Sequence, residues 1–141
     1  MLCQDLMKSA VKCVSPETTV EQAAGMMRDE GVGFLPICDP DGHVLGTITD
    51  RDITIRAVAY HESTDEPIER FMTAHVVACR PTDDLSYAEE LMSQEKVSRI
   101  MCIGTDGALE GVISLSDIAQ LEDGARAMAT LRNVSDREIR L

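Results

Sequence analysis

Apolar and polar positions follow one another along this chain in a succession that is played twice. A short helical turn is expected to end at Met7, and a β-leaning stretch, Ala10–Val14, is stopped by Pro16. Val20, Ala23, Ala24 and Met27 then recur at helical spacing on one face. Thr18, with Glu21 three residues on, has the form of a capping box, and Gly31 that of a helix stop. Two apolar runs, Phe34–Cys38 and Val44–Thr49, flank Asp39-Pro40-Asp41-Gly42, the pattern of a hairpin. A second helix is expected from Asp50. The same order returns: a turn ending at Met72, a stretch His75–Cys79 stopped by Pro81, and a helix capped by Thr82 or Asp83 with Leu85, Ala88, Leu91 and Met92 on its face. Runs Arg99–Ile103 and Leu109–Ser114 flank Gly104–Gly107, and a helix follows from Leu115. The predicted unit is β-α-β-β-α.

The two copies align without a gap at an offset of 65 residues, Met7–Ile53 on Met72–Ile118, and 13 of the 47 pairs are identical. An internal repeat constrains architecture more than any local signal does. The expected fold is α/β (α+β), two pseudo-symmetric repeats sharing one body. The boundaries predicted are 1–60 for the first repeat, 61–67 for a solvated linker, 68–122 for the second repeat and 123–141 for a helical tail without a counterpart. Within the tail, Asp123-Gly124 is a break, Ala125–Val134 is helical, and Ser135 with Glu138 forms a further capping pattern.

Composition then removes several classes of function. The chain has 141 residues, a formal net charge of −12, no Trp and 3% aromatic residues. Nucleic-acid binding needs a basic footprint or stacking platforms, so none is expected. No apolar run is long enough for a membrane span, and no signal peptide is seen at the N-terminus, so a cytoplasmic location is expected. The five cysteines (Cys3, Cys13, Cys38, Cys79, Cys102) show no paired spacing, so reduced, mostly buried thiols are predicted. His43, His61 and His75 share no ligand spacing, and no metal site is expected. Nor is there a phosphate loop, a dinucleotide fingerprint or a nucleophile elbow, so the chain is expected not to be an enzyme.

One position carries candidate chemistry in both copies. Gly46-Thr47-Ile48-Thr49-Asp50-Arg51-Asp52 and Gly111-Val112-Ile113-Ser114-Leu115-Ser116-Asp117 both reduce to Gly-x-Ile-(Thr/Ser)-x-x-Asp, with a strand running into a helix. A hydroxyl followed three residues later by an acid caps a helix. The same turn presents free N–H groups and a positive dipole end, which suits an anion. An aspartate one turn later, an acceptor only, can take the hydroxyls of a ribose. Capping and nucleotide binding are compatible.

In its whole order the repeat resembles a tandem pair of cystathionine-β-synthase-type (CBS) domains, often called a Bateman module. The residues that carry the resemblance are Asp5–Met7, Val14–Val20, Gly33–Ile37, Asp39–Gly42 and Gly46–Ile53, then Arg70–Thr73, Cys79–Pro81, Ser98–Ile100 and Gly111–Ile118. It covers roughly residues 2–120. The resemblance implies a disc-like body with two inter-repeat clefts for adenosyl ligands: AMP, ADP, ATP or S-adenosylmethionine. It implies that the motif aspartate holds ribose, that the Thr/Ser faces phosphate, and that a basic residue before the middle strand of the other repeat reaches that phosphate. The stronger site would then use Thr49, Arg51, Asp52 and Arg99, with adenine near Cys13, Val14, Ile48 and Met101. The weaker site would use Ser114, Ser116 and Asp117 with Ile113, and would receive Phe34, which has no charge, in place of an arginine.

The expected function is that of a stand-alone regulatory protein that binds an adenosyl small molecule and signals to a separate effector protein. A ligand-free dimerisation or interaction module is the alternative. A homodimer is expected, with no required cofactor beyond the regulatory ligand, and with no nucleic-acid or membrane partner.

Overall fold

Both predicted hairpins form at the predicted residues in the computed structural model, which describes residues 1–121 and 124–139. β1 (Phe34–Cys38) pairs antiparallel with β2 (Val44–Thr49), and β4 (Arg99–Ile103) pairs antiparallel with β5 (Leu109–Ser114). Gly42 and Gly107 turn the two hairpins at φ 86° and 84°, a conformation that glycine adopts without a Cβ clash. The chain divides into two compact units, Lys12–Val76 and Met1–Val11 with Val77–Leu141.

In the Lys12–Val76 unit, α2 (Val20–Glu30) lays Val20, Ala23 and Met27 on a core with Val14, Leu35, Ile37, Ile48, Ile53, Ala57, Ile68 and Phe71. Its cap is Thr19 with Gln22, one residue beyond the expected Thr18–Glu21 pair. Thr18 is held outside the helix, its N–H on the Ser15 carbonyl and its own carbonyl accepting from Ile68. Gly31 ends α2 in the left-handed region, as expected. The stretch Ala10–Val14 does not become a strand; only Val14 bridges β1, parallel to Ile37. β2 runs into α3 (Asp50–Asp52), which continues as a wider π-helical turn, Ile53–Val58, with Thr54 Oγ1 donating to the Asp50 carbonyl. Residues 61–67 are not merely solvated, because the Thr64 and Glu66 carbonyls take the N–H groups of Glu21 and Val20.

In the other unit, β3 (Ala78–Cys79) pairs parallel with β4, so the expected His75–Cys79 strand is two residues long. α4 (Leu85–Glu95) is capped by Asp84, not by Thr82 or Asp83. The Asp83 carboxylate is taken instead by the Arg80 N–H. Lys96 occupies the left-handed position that Gly31 fills in the first copy. α5 (Leu115–Ala119) packs on α6 (Gly124–Ile139), which also meets α4. α6 runs through Ser135 with no new start there, and buried Thr130 and Val134 seat it on this unit. The proposed break at Asp123 lies outside the described residues. No helix among the described residues is long and apolar enough to cross a membrane.

The short helix α1 (Cys3–Leu6) packs with the second copy, although it precedes the first. Cys3 and Gln4 donate to the Asp83 and Pro81 carbonyls, and Lys8 exchanges backbone bonds with Val112. At the offset of 65, the 3₁₀ turn Ile68–Arg70 and Thr73 make the same bonds to Thr18, Pro16 and Thr47. Each leading segment therefore packs on the copy other than the one it introduces. The expected ranges 1–60 and 68–122 divide the chain by repeat, whereas packing moves Met1–Val11 to the later residues and 68–76 to the earlier ones.

Candidate functional site

The candidate chemistry sits where the second hairpin strand of each copy turns into a helix. At the first turn, Thr49 Oγ1 accepts from the Asp52 N–H at 3.0 Å and Asp52 Oδ2 accepts from the Thr49 N–H at 3.1 Å. At the second, Ser114 Oγ accepts from Asp117 at 3.1 Å and Asp117 Oδ2 from Ser114 at 2.9 Å. Both are reciprocal capping boxes. The strand leading into each is anchored by the same bond, Asp50 N–H to Gly33 O and Leu115 N–H to Ser98 O. Asp52 is 6% exposed and Asp117 is 8% exposed, a level at which a carboxylate needs partners.

The glycine that opens each motif has a steric reason. A Cβ on Gly46 would lie 2.5 Å from the Thr73 carbonyl oxygen, and one on Gly111 would lie 2.8 Å from Met7 and 3.0 Å from the Lys8 carbonyl oxygen. These glycines let the segments at Thr73 and Lys8 pair with β2 and β5 beside the aspartates.

The remaining aspartate oxygen separates the two turns. Asp52 Oδ1 meets Thr73 Oγ1 at 3.4 Å and Arg56 at 3.8 Å, and the Arg56 guanidinium also donates to the Phe71 and Met72 carbonyls. Asp117 Oδ1 is bound by the Lys8 ammonium at 3.1 Å. Burial works against the charge of Asp117, but the Ser114 N–H, the Ser114 hydroxyl and Lys8 together hold its carboxyl below the ordinary range. Lys8 and Thr73 correspond at the offset of 65, so one position carries a cation in one copy and a hydroxyl in the other. Sequence reasoning missed Lys8, Thr73 and Arg56. The offset did pair the first two, but their packing partner depends on the exchange of leading segments.

The other expected site residues divide as follows. Thr49, Arg51, Asp52, Ile48, Cys13, Val14 and Phe34 belong to the Lys12–Val76 unit, and Arg99, Met101, Ile113, Ser114, Ser116 and Asp117 to the other. Arg51 is exposed on α3, and the Ser116 hydroxyl lies 2.8 Å from that of Ser114. Within their own units, Phe34 stands opposite Thr49 and Arg99 opposite Ser114 on the hairpin ladders. Ile48 and Ile113 are fully buried core residues, Val14 and Met101 are also buried, and Cys13 is exposed. Cys13 and Val14 line a hollow of about 390 Å³ with Pro16, Cys38, Asp39 and Leu45. Its counterpart at the offset of 65, about 310 Å³, is lined by Ala78, Cys79, Arg80, Ile103 and Gly104.

Comparison with known proteins matches the CBS domain model to residues 3–58 and again to 68–124. The chain is 31% identical over 137 residues to the CBS domain-containing protein YhcV of Bacillus subtilis, covering 96% of each. Among solved structures it resembles the CBS domain protein PAE2072 from Pyrobaculum aerophilum complexed with AMP, at a TM-score of 0.81 and 22% identity, over 92% of this chain and 99% of that one. It also resembles the CBS domain pair of protein MJ0100 in complex with 5′-methylthioadenosine and S-adenosyl-L-methionine, at a TM-score of 0.79 and 23% identity, over 89% and 98%.

Proposed function

This chain belongs to the CBS-domain family, and on that premise we propose that it is a regulatory module that binds an adenosyl ligand and passes the bound state to a separate effector protein. The observation that carries the reading is the buried aspartate held in a capped strand-to-helix turn, built twice. The N–H groups of Thr49, Asp50, Arg51 and Asp52 already have acceptors within the protein, so the expected free N–H groups are not available. Such a turn offers phosphate a hydroxyl proton and ribose a fixed carboxylate. Proteins of the same fold are complexed with AMP or with S-adenosylmethionine, which supports this ligand class.

The two turns are unequal in this role. Asp52 keeps an oxygen engaged only by long contacts, and Arg51 stands on the same turn. Asp117 has its corresponding oxygen on Lys8, and Ser116 replaces the arginine. The turn at Thr49–Asp52 is therefore the principal ligand site, with Arg99 assigned to the phosphate by the resemblance.

Titration calorimetry with AMP, ATP and S-adenosylmethionine tests this. At least one ligand binds the full chain; Asp52→Ala weakens it by at least about tenfold, roughly 1.4 kcal/mol, and Arg99→Ala weakens the phosphate-bearing ligands. Asp117→Ala leaves most of the binding in place. Absence of a heat signal from all three ligands at millimolar concentration overturns the reading.

A second reading, an interaction module without a ligand, is favoured by one observation. Ile55, Val58 and Tyr60, at and beyond the π-helical turn, are 41%, 60% and 74% exposed. Under that reading Val58→Asp with Tyr60→Ser abolishes self-association in sedimentation, and no adenosyl ligand binds.

A further inference from the structure

The sulfur atoms of Cys13 and Cys38 lie 2.8 Å apart. The same chain supplies a yardstick for ordinary contact: Cys79 stands 3.6 Å from Cys3 and 3.6 Å from Cys102. A disulfide bond is about 2.0 Å long, so the Cys13–Cys38 pair lies between contact and bond. Backbone pairing holds it there. The Val14 N–H donates to the Pro36 carbonyl and the Cys38 N–H to the Val14 carbonyl, each at 2.9 Å. A bulge falls between Ile37 and Cys38, and a bulge re-aims the side chain beside it.

We propose that Cys13 and Cys38 are a thiol–disulfide modification site, closed by a peroxide. The proposal does not depend on the ligand reading. Cys13 is exposed and is the sulfur a small oxidant meets, whereas Cys38 is buried beneath it. Burial, then the hydrogen bond with Cys13, pushes the Cys38 thiol up to about 12, so Cys38 resolves and does not attack first. The Cys13 sulfur attacks one peroxide oxygen; the O–O bond breaks, that oxygen stays as sulfenic acid, and the other departs as water. The Cys38 sulfur then attacks the Cys13 sulfur. The S–O bond breaks, and its oxygen leaves with the Cys38 proton as a second water. Two thiols are oxidised to one disulfide and one peroxide is reduced.

The other three cysteines are all buried, so their cluster has no exposed sulfur to meet an oxidant. Cys3 is pushed up to about 12 by desolvation, and Cys79 is pushed up by its bond with Cys102 and by burial. At the offset of 65, Cys13 and Cys38 fall on Ala78 and Ile103, so the second copy has no such pair. It also has less need of one, because β3 pairs with β4 at two positions where Val14 bridges β1 at one. A closed disulfide would tie the Cys13–Ser15 segment to β1 along the wall of the hollow that both thiols line.

The test uses the full chain treated with stoichiometric hydrogen peroxide, denatured, alkylated and mapped by mass spectrometry. Two of the five thiols are expected to be lost, one cross-linked peptide joins Cys13 to Cys38, and dithiothreitol restores both. The melting temperature of the oxidised chain rises, because the unfolded chain is constrained. Cys13→Ser, at an exposed position, loses no thiol. Retention of all five thiols overturns the proposal. So does a linkage between chains, a linkage that includes Cys3, Cys79 or Cys102, or over-oxidation of Cys13 without a cross-link.

Discussion

The turns at Thr49–Asp52 and Ser114–Asp117 share a backbone and differ in what faces their aspartates. Capping distances agree within 0.2 Å, both aspartates are buried, and both strands are anchored by the same carbonyl bond. Yet Asp117 meets an ammonium where Asp52 meets a hydroxyl and a distant guanidinium. Backbone geometry is set by many cooperating bonds, so one substitution seldom alters it. Electrostatics at one carboxylate is set by the few side chains that face it, so a single substitution alters it. Duplication has therefore preserved the scaffold while the charge environments diverged, and a ligand that needs an available carboxylate would tell the two turns apart.

The largest expected effect removes the shared scaffold from one turn. Gly46→Ala sets a Cβ 2.5 Å from a backbone oxygen, which cannot swing aside. It should cost about 2–3 kcal/mol in urea unfolding, the upper range for overpacking. Gly111→Ala meets the flexible Met7 side chain first and a backbone oxygen only at 3.0 Å, so it should cost about 1 kcal/mol less. Equal costs would mean that the two leading segments are held equally loosely, and would remove the steric reason given for the first glycine.

These glycines also mark how far the sequence could be read. The Gly-x-Ile pattern was visible in both copies, but the oxygen that forbids a Cβ comes from Thr73 or Lys8, which reach the motif only through the exchange of leading segments. The hairpins were read to the residue because each is local: two apolar runs, a turn, a glycine at positive φ. α3 and α5 begin at Asp50 and Leu115 as expected, whereas the caps of α2 and α4 lie a residue beyond the expected ones, since several consecutive residues there can cap. Thr18 and Asp83 were taken by loop bonds, leaving Thr19 and Asp84 to do it. The stretch at Ala10–Val14 has β propensity, but residues 9–13 are largely exposed and only Val14 finds a ladder partner. As for the site, the hydroxyl–aspartate pairs were readable and their outer partners were not.

A smaller effect probes the caps. Thr49→Ala and Ser114→Ala each delete the acceptor for an aspartate N–H, and each should cost about 1 kcal/mol in the same unfolding measurement. Thr49→Ser should be close to neutral, because it writes the second copy's residue into the first. If the two alanine variants differ by more than the cap itself is worth, the two backbones are not equivalent.

The smallest effect isolates the charge difference. Lys8→Thr gives the second turn the residue that the first has at Thr73. Lys8 is 74% exposed, so its pair with Asp117 is worth only about 0.5 kcal/mol at neutral pH. The pH dependence shows whose charge is involved. The Asp117 carboxyl is held below its ordinary value in the folded chain, so on acidification the unfolded chain takes up the proton first. Its contribution is present above about pH 4 and is lost as pH falls through the folded value. Asp39, held down first by the His43 N–H, and Asp84, held down first by the Ser86 hydroxyl, add to the same acid slope. The wild-type slope alone therefore cannot report on Asp117, but the difference between wild type and Lys8→Thr can. That gap should shrink to nothing once Asp117 is protonated in both states, and should narrow in high salt at neutral pH. A gap that stays constant across the acid range would mean that Lys8 acts through its alkyl chain against the Gly111 strand, and the electrostatic contrast between the two turns would fall.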